Sequence, residues 1–126
     1  MGIYGDCAVR AVKLIEKHQA MDPRMAWEAA ISSLTKSEWS INKGCPKGAF
    51  LGLCEEGLIK GIPKGQYTRS VDNKNYALKA VKILKQSSRP RKKIDLWREV
   101  TNREIGQDGQ MDVVLSLWNN NLILRK

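Results

Sequence analysis

Residues 50–59 read FLGLCEEGLI, and residues 114–123, which lie 64 positions later, read VLSLWNNNLI. Each stretch begins with apolar residues at helical spacing and continues into the polar residues of a helix end. Neither stretch has a charged side chain within its apolar part. Both are therefore predicted to be central, buried helices, and they decide how the rest of the chain can pack.

Two further matches follow the same order along the chain. AVKLI at residues 11–15 recurs as AVKIL at residues 80–84, and Ala26-Trp27 recurs as Leu96-Trp97. Ordered matches at offsets of 69, 70 and 64 indicate an internal repeat rather than a chance likeness between amphipathic helices. The sequence predicts an all-α fold with about six helices in two pseudo-repeated three-helix units, residues 4–60 and 73–126. Because each unit is too small for a core of its own, residues 1–126 are expected to form one domain.

Capping signals set the expected helix boundaries. Asp22-Pro23 is typical of a helix start, and Gly57 is typical of a left-handed helix end. The helices are predicted at about residues 6–18, 22–34, 45–57, 73–86, 95–103 and 108–118.

Composition narrows the class of protein. No window approaches the roughly 18 apolar residues of a membrane-spanning helix, and the N-terminus lacks a signal-peptide pattern, so we expect a cytoplasmic protein. The chain has three cysteines and one histidine, without metal-ligand spacing. We therefore predict no metal site, no cofactor and no disulfide framework.

The positive charge is concentrated in one quarter of the chain. The net charge is +9, and residues 61–93 hold ten basic residues against one acidic residue, Asp72. We call these ten residues the basic strip: Lys64, Arg69, Lys74, Lys79, Lys82, Lys85, Arg89, Arg91, Lys92 and Lys93. At 100° per residue the four lysines of the fourth helix share one face, opposite an apolar face. The strip predicts an anionic partner, although a solvated lysine face with a flexible linker is the competing interpretation.

Glycines in the third helix require a separate explanation. Gly48 and Gly52 lie one turn apart, which favours close packing of another helix over ligand binding. The start of the same helix also offers a possible anion pocket at a helix N-terminus, made by Lys43, Gly44, Cys45, Lys47 and Gly48.

Cys45 is the one candidate nucleophile, because a helix start between two lysines is expected to lower the pKa of its thiol. A cysteine nucleophile usually needs a base, and the sole histidine, His18, is expected on the polar side of another helix. A catalytic role is therefore disfavoured, and no catalytic residue is assigned. Glu55 and Glu56 are predicted to form a solvated helix end.

Four tryptophans are candidate platforms for stacking on nucleobases. Trp27, Trp97 and Trp118 fall on apolar helix faces, which predicts that they belong to the core. Trp39 lies in a polar stretch and is expected to be exposed.

The segment KGCPKGAFLGLCEEGLIKGIPKG at residues 43–65 carries a family resemblance, together with Asn73-Lys74 and QMDVV at residues 110–114. With these motifs the chain resembles a family of small bacterial cytoplasmic proteins of unknown function. The resemblance implies a bacterial, cytoplasmic protein and supplies no activity, cofactor or catalytic residue.

Three functions remain open on these observations. The leading hypothesis is non-catalytic binding of an anionic partner, most concretely nucleic-acid backbone without sequence readout, because neither central helix has side chains that could read bases. The alternatives are an interaction module that docks an acidic protein, and a small enzyme or ligand sensor that uses Cys45.

Overall fold

The computed structural model describes residues 2–102 and 106–125. Its helices, in chain order, are α1 (Gly2–Glu16), α2 (Pro23–Leu34), α3 (Glu38–Ile41), α4 (Gly44–Glu55), α5 (Val71–Gln86), α6 (Lys93–Thr101) and α7 (Gln110–Asn119). The described residues contain no strand beyond one isolated β-bridge, so the predicted all-α fold is confirmed. The expected six helices are present, and α3 is an additional single turn. Arg103, the predicted end of the fifth helix, lies outside the described residues.

Local sequence signals explain where α2 begins. Asp22 is extended and its side chain accepts a hydrogen bond from the backbone N–H of Met25 at 2.9 Å, while Pro23 occupies the first helical position. The side chain of Asp22 pairs one of the free N–H groups at the helix start, and Pro23 has no N–H group that needs a partner. This predicted start is confirmed.

The two central helices are α4 and α7, as predicted. Residues 48–54 of α4 and residues 110–117 of α7 are buried. Around them α1 packs against α2 and α7, whereas α5 packs against α4 and α6. Trp27 contacts Phe50 in the resulting core, with ring centroids 5.3 Å apart. None of the described helices has both the length and the hydropathy needed to cross a bilayer.

The ends of α4 and α7 have the same geometry. Gly57 (φ 72°) and Asn121 (φ 59°) each adopt the left-handed conformation just after the helix. The next residue donates a backbone hydrogen bond into the last turn in both cases, Leu58 to Leu53 at 3.1 Å and Leu122 to Leu117 at 2.9 Å. This is the Schellman arrangement, which ends a helix while pairing its last carbonyls.

Gly48 and Gly52 form a glycine stripe on α4. This stripe is a packing surface, as predicted. A Cβ placed on Gly52 would lie 2.7 Å from the Cα of Lys74, and one placed on Gly48 would lie 3.0 Å from the Cβ atoms of Ser70 and Asn73. The α5 backbone therefore approaches α4 more closely than any larger residue would allow.

Candidate anion-binding surface

The exposed part of the basic strip spans the C-terminal half of α5 and the segments on either side of the helix. Lys79 and Lys82 are exposed on α5, one turn apart. Lys64 and Arg69 are exposed before the helix, and Arg89 and Lys92 are exposed in the linker to α6. No carboxylate of the described residues lies within 4.0 Å of these six cations. Lys85 is also exposed.

Lys74 does not belong to the exposed face on which the helical wheel places it. Its side chain is only 21% exposed, and its Nζ lies 2.6 Å from Glu55 and 3.6 Å from Glu56. The wheel assumes one buried face along the whole helix. The first turns of α5 are covered on a second side, because Gly48 and Gly52 let α4 approach there. The prediction that Lys74 faces solvent with the other lysines is wrong.

Two further strip residues also have acidic partners. Arg91 forms an ion pair with Glu99 and donates a hydrogen bond to Ser87 Oγ at 2.9 Å. Lys93 lies 3.1 Å from the largely buried carboxylate of Asp112. These two cations are partly neutralised within the chain and contribute less to an external anion site.

Glu55 is a structural anchor, contrary to the prediction of a solvated helix end. Its Oε1 accepts hydrogen bonds from the backbone N–H groups of Tyr67 (2.8 Å) and Thr68 (3.1 Å), while Oε2 receives the ammonium group of Lys74. The hydrogen bond from Lys74 and the two backbone hydrogen bonds lower the pKa of Glu55 to about 2. The carboxylate therefore fixes the loop between α4 and α5 against the end of α4.

A cleft beside the strip contains a cation that lies outside the predicted site. The cleft has a volume of about 370 Å³ and lies between the end of α5, the following linker and the segment after α7. Its lining includes Arg89 and Arg91 from the strip together with Arg125 and Trp118. The Cζ atom of Arg125 lies 3.9 Å from the centroid of the Trp118 ring. Trp118 is consequently half-buried beneath a guanidinium group, and only part of its surface is in the core.

The predicted pocket at the start of α4 is occupied by internal contacts. Lys43 lies 3.5 Å from Asp108 and 4.7 Å from the ring centroid of Trp39, which is 72% exposed as expected. Lys47 is paired with Glu28. Gly48 is buried beneath α5, whereas Gly44 is exposed and Cys45 half-buried. These contacts disfavour an anion at this helix N-terminus.

The cysteines differ in their surroundings. Burial raises the pKa of the Cys7 and Cys54 thiols well above the usual range, and the carboxylate of Glu28 adds to this effect at Cys7. Cys45 is half-buried and free. His18 lies in the turn after α1, with φ 58°, rather than on the helix itself. Among the described residues no group of three His, Cys, Asp or Glu side chains could hold a metal ion.

Comparison with known proteins gives one match. The model of a family of unknown function, DUF6979, matches residues 1–124. No curated protein and no solved structure matches the chain.

Proposed function

Since the chain belongs to the DUF6979 family, a family of unknown function, we infer its function from its own surface. We propose that the protein binds the phosphate backbone of nucleic acids through the basic strip, without reading base sequence. The observation that carries the proposal is the group of six exposed strip cations that have no carboxylate of the described residues within 4.0 Å: Lys64, Arg69, Lys79, Lys82, Arg89 and Lys92.

The charge distribution supports an external anion. Residues 61–93 account for the entire net charge of +9, since they contain ten basic residues and one acidic residue. Lys79 and Lys82 are separated by one turn, about 4.5 Å along the helix axis. Backbone binding requires cations along a surface and releases the counterions condensed on the nucleic acid. It requires no base-reading helix, and the apolar side chains of α4 and α7 are buried.

The salt dependence of binding tests this function. Fluorescence anisotropy with two unrelated duplexes is expected to give similar affinities, and log K should fall against log salt with a slope of about −0.9 per neutralised phosphate. The double variant Lys79→Gln/Lys82→Gln should flatten the slope by about one unit per lost contact. Its free energy of unfolding should hardly change, because both side chains are exposed.

The matched control is Lys13→Gln/Lys17→Gln, which removes two exposed charges from the region of α1. It should leave the slope close to that of the parent. Equal binding by the parent and the Lys79/Lys82 variant would refute the proposal, as would absence of binding by the parent at moderate salt. Either result would favour an acidic protein as the partner of the strip.

We also infer a bacterial origin, a cytoplasmic location and a division into two repeated units. A bacterial origin and a cytoplasmic location are supported by the sequence resemblance described above. The division into two repeated units is supported by the ordered sequence matches and by the equal ends of α4 and α7. If the repeat is real, residues 4–60 should superimpose on residues 73–126 with Trp27 over Trp97.

A further inference from the structure

The cleft beside Trp118 contains three arginines contributed by two distant parts of the sequence. Arg89 and Arg91 come from the linker after α5, and Arg125 comes from the segment after α7. The described lining of the cleft contains no aspartate or glutamate. Glu99 pairs with Arg91 from outside this lining, and the remaining positive charge of the three guanidinium groups favours an anion.

Arg125 is held in place by uncharged partners. It donates hydrogen bonds to the backbone oxygen of Trp118 at 2.8 Å and to Oδ1 of Asn121 at 3.3 Å, and it lies over the indole ring. None of these contacts cancels its charge. A fixed guanidinium loses less conformational freedom when it binds an oxyanion, so this geometry favours binding.

The other two arginines differ in how they are held. Arg91 is fixed by Ser87 and Glu99, so its position is set and its charge is partly balanced. Arg89 is exposed and has no carboxylate within 4.0 Å among the described residues. Arg89 and Arg125 are therefore the two cations with charge available to a ligand.

We propose that this cleft binds a nucleotide, with its phosphate on Arg89 and Arg125 and its base against the stacked pair of Arg125 and Trp118. The inference deepens the proposed function and rests on it for the class of ligand. A volume of about 370 Å³ falls within the range of small-molecule sites. A guanidinium stacked on an indole gives a flat cationic surface on which any base can lie. Because a paired base does not offer its face, the ligand is a free mononucleotide or an unpaired nucleotide of a single strand.

Titrations of the full chain with four probes test the cleft. The probes are adenosine monophosphate, adenosine, inorganic phosphate and a short oligodeoxythymidine, and backbone amide NMR shifts report the site. Adenosine monophosphate is expected to shift the amides of residues 87–89, 91 and 118–125 and to bind more tightly than adenosine or inorganic phosphate. Comparing the mononucleotide with the oligonucleotide tells which source of the nucleotide the cleft prefers.

The variants separate charge from stacking. Arg125→Gln and Arg89→Gln should each weaken binding of adenosine monophosphate about tenfold, the loss expected for one charge-assisted hydrogen bond. Arg125→Lys should retain most phosphate binding and lose the preference for the nucleotide over inorganic phosphate. The control Arg24→Gln removes an exposed arginine from α2 and should bind like the parent.

The result that would overturn the inference is parent-like nucleotide binding by Arg125→Gln, or no shift of the cleft amides in the parent. If this happens while duplex binding still depends on Lys79 and Lys82, the cleft inference fails and the proposed function stands. If the cleft binds the mononucleotide while neither duplex nor single strand binds, the cleft is a small-molecule site and the proposed function fails.

Discussion

Ile59 pairs with Ile123 in an isolated antiparallel bridge, and their separation of 64 positions is the offset that aligns residues 50–59 with residues 114–123. The flanking hydrogen bonds run from Lys60 N–H to Leu122 O at 2.9 Å and from Leu124 N–H to Leu58 O at 2.8 Å. A shift of 64 positions turns one hydrogen bond into the other, because Lys60 corresponds to Leu124 and Leu122 corresponds to Leu58. The segments after α4 and α7 therefore meet as a local two-fold axis would place them.

The helix ends next to this bridge give the first prediction. Gly57→Ala should lower the free energy of unfolding by about 1 kcal/mol, because the left-handed backbone strains any residue with a Cβ. The added Cβ would meet Lys64 Cβ at an ordinary 3.5 Å, so the cost is conformational rather than steric. Asn121→Gly at the equivalent position should change stability little, because it relieves the backbone strain and removes the hydrogen bond from Arg125 to Oδ1. Urea unfolding measures both, and a neutral Gly57→Ala variant would contradict the argument.

The α4–α5 contact gives the second prediction. Gly52→Ala should destabilise the protein by about 1–3 kcal/mol, because the new methyl group would overlap the backbone of Lys74. Gly44→Ala is the matched control, since no described atom outside its own turn of α4 lies within 4 Å of the added Cβ, and alanine favours a helix. Thermal unfolding should show a lower Tm for the first variant only. Equal Tm values would show that α5 is not pressed against the glycine stripe.

Acid stability depends on Glu55. Because its pKa is lowered from about 4.5 to about 2, the carboxylate contributes stability above pH 4.5, and that contribution is lost as the pH falls through 2. Solvent screens this carboxylate at the end of α4, so we expect its contribution at neutral pH to be about 1–2 kcal/mol. Glu55→Gln should therefore lose stability at pH 7 and show a smaller further loss on acidification than the parent.

The matched control for this experiment is Glu16→Gln, which changes an exposed acid at the end of α1. Urea unfolding at pH 7 and pH 3 should leave its pH dependence close to that of the parent. If Glu55→Gln and the parent lose equal stability between these pH values, the carboxylate does not anchor the loop.

Thiol reactivity gives the fourth prediction. Cys45 should react with iodoacetamide in the folded protein, whereas the buried Cys7 and Cys54, with raised thiol pKa values, should react only on unfolding. Cys45→Ser should keep the fold and the binding properties, because no described residue is hydrogen-bonded to Cys45 as a base. Mass spectrometry after timed alkylation measures this order. Rapid, selective alkylation of Cys45 that abolished function would instead support an enzyme.

Sequence patterns were sufficient for the six longer helices, because each of these has its own periodic apolar face; the single turn α3 buries no residue and was not predicted. They failed at Lys74 and Glu55, where the side-chain environment depends on how closely two helices approach. The glycine stripe indicates close packing, but it does not identify the helix that lies on it. Lys74 is the residue that covers Gly52, and this fact is visible only after folding.

Sequence patterns did not predict the cleft, for a related reason. Arg125 lies 34 positions after Arg91, in a stretch without net positive charge. Counting charges along the chain therefore does not predict that the two arginines line one cleft. The available signal was the pair Trp118 and Arg125, an aromatic residue at a helix end followed by an arginine that can fold back over it. Such a pair indicates stacking only once the turn at Asn121 is known.

The arrangement of the outer helices has a consequence for how the protein is made. The N-terminal helix α1 lies on α7, where Gly5 meets Ser116, whereas α5 of the second half lies on α4 of the first. Helices from the first and second halves of the sequence are thus packed against each other, in addition to the contact of α1 with α2. Because α1 packs on α7 as well as on α2, its burial stays incomplete during synthesis until α7 has left the ribosome, and we expect the nascent chain to stay exposed to proteases and chaperones up to that point. Residues 2–125 should then fold and unfold in one cooperative step.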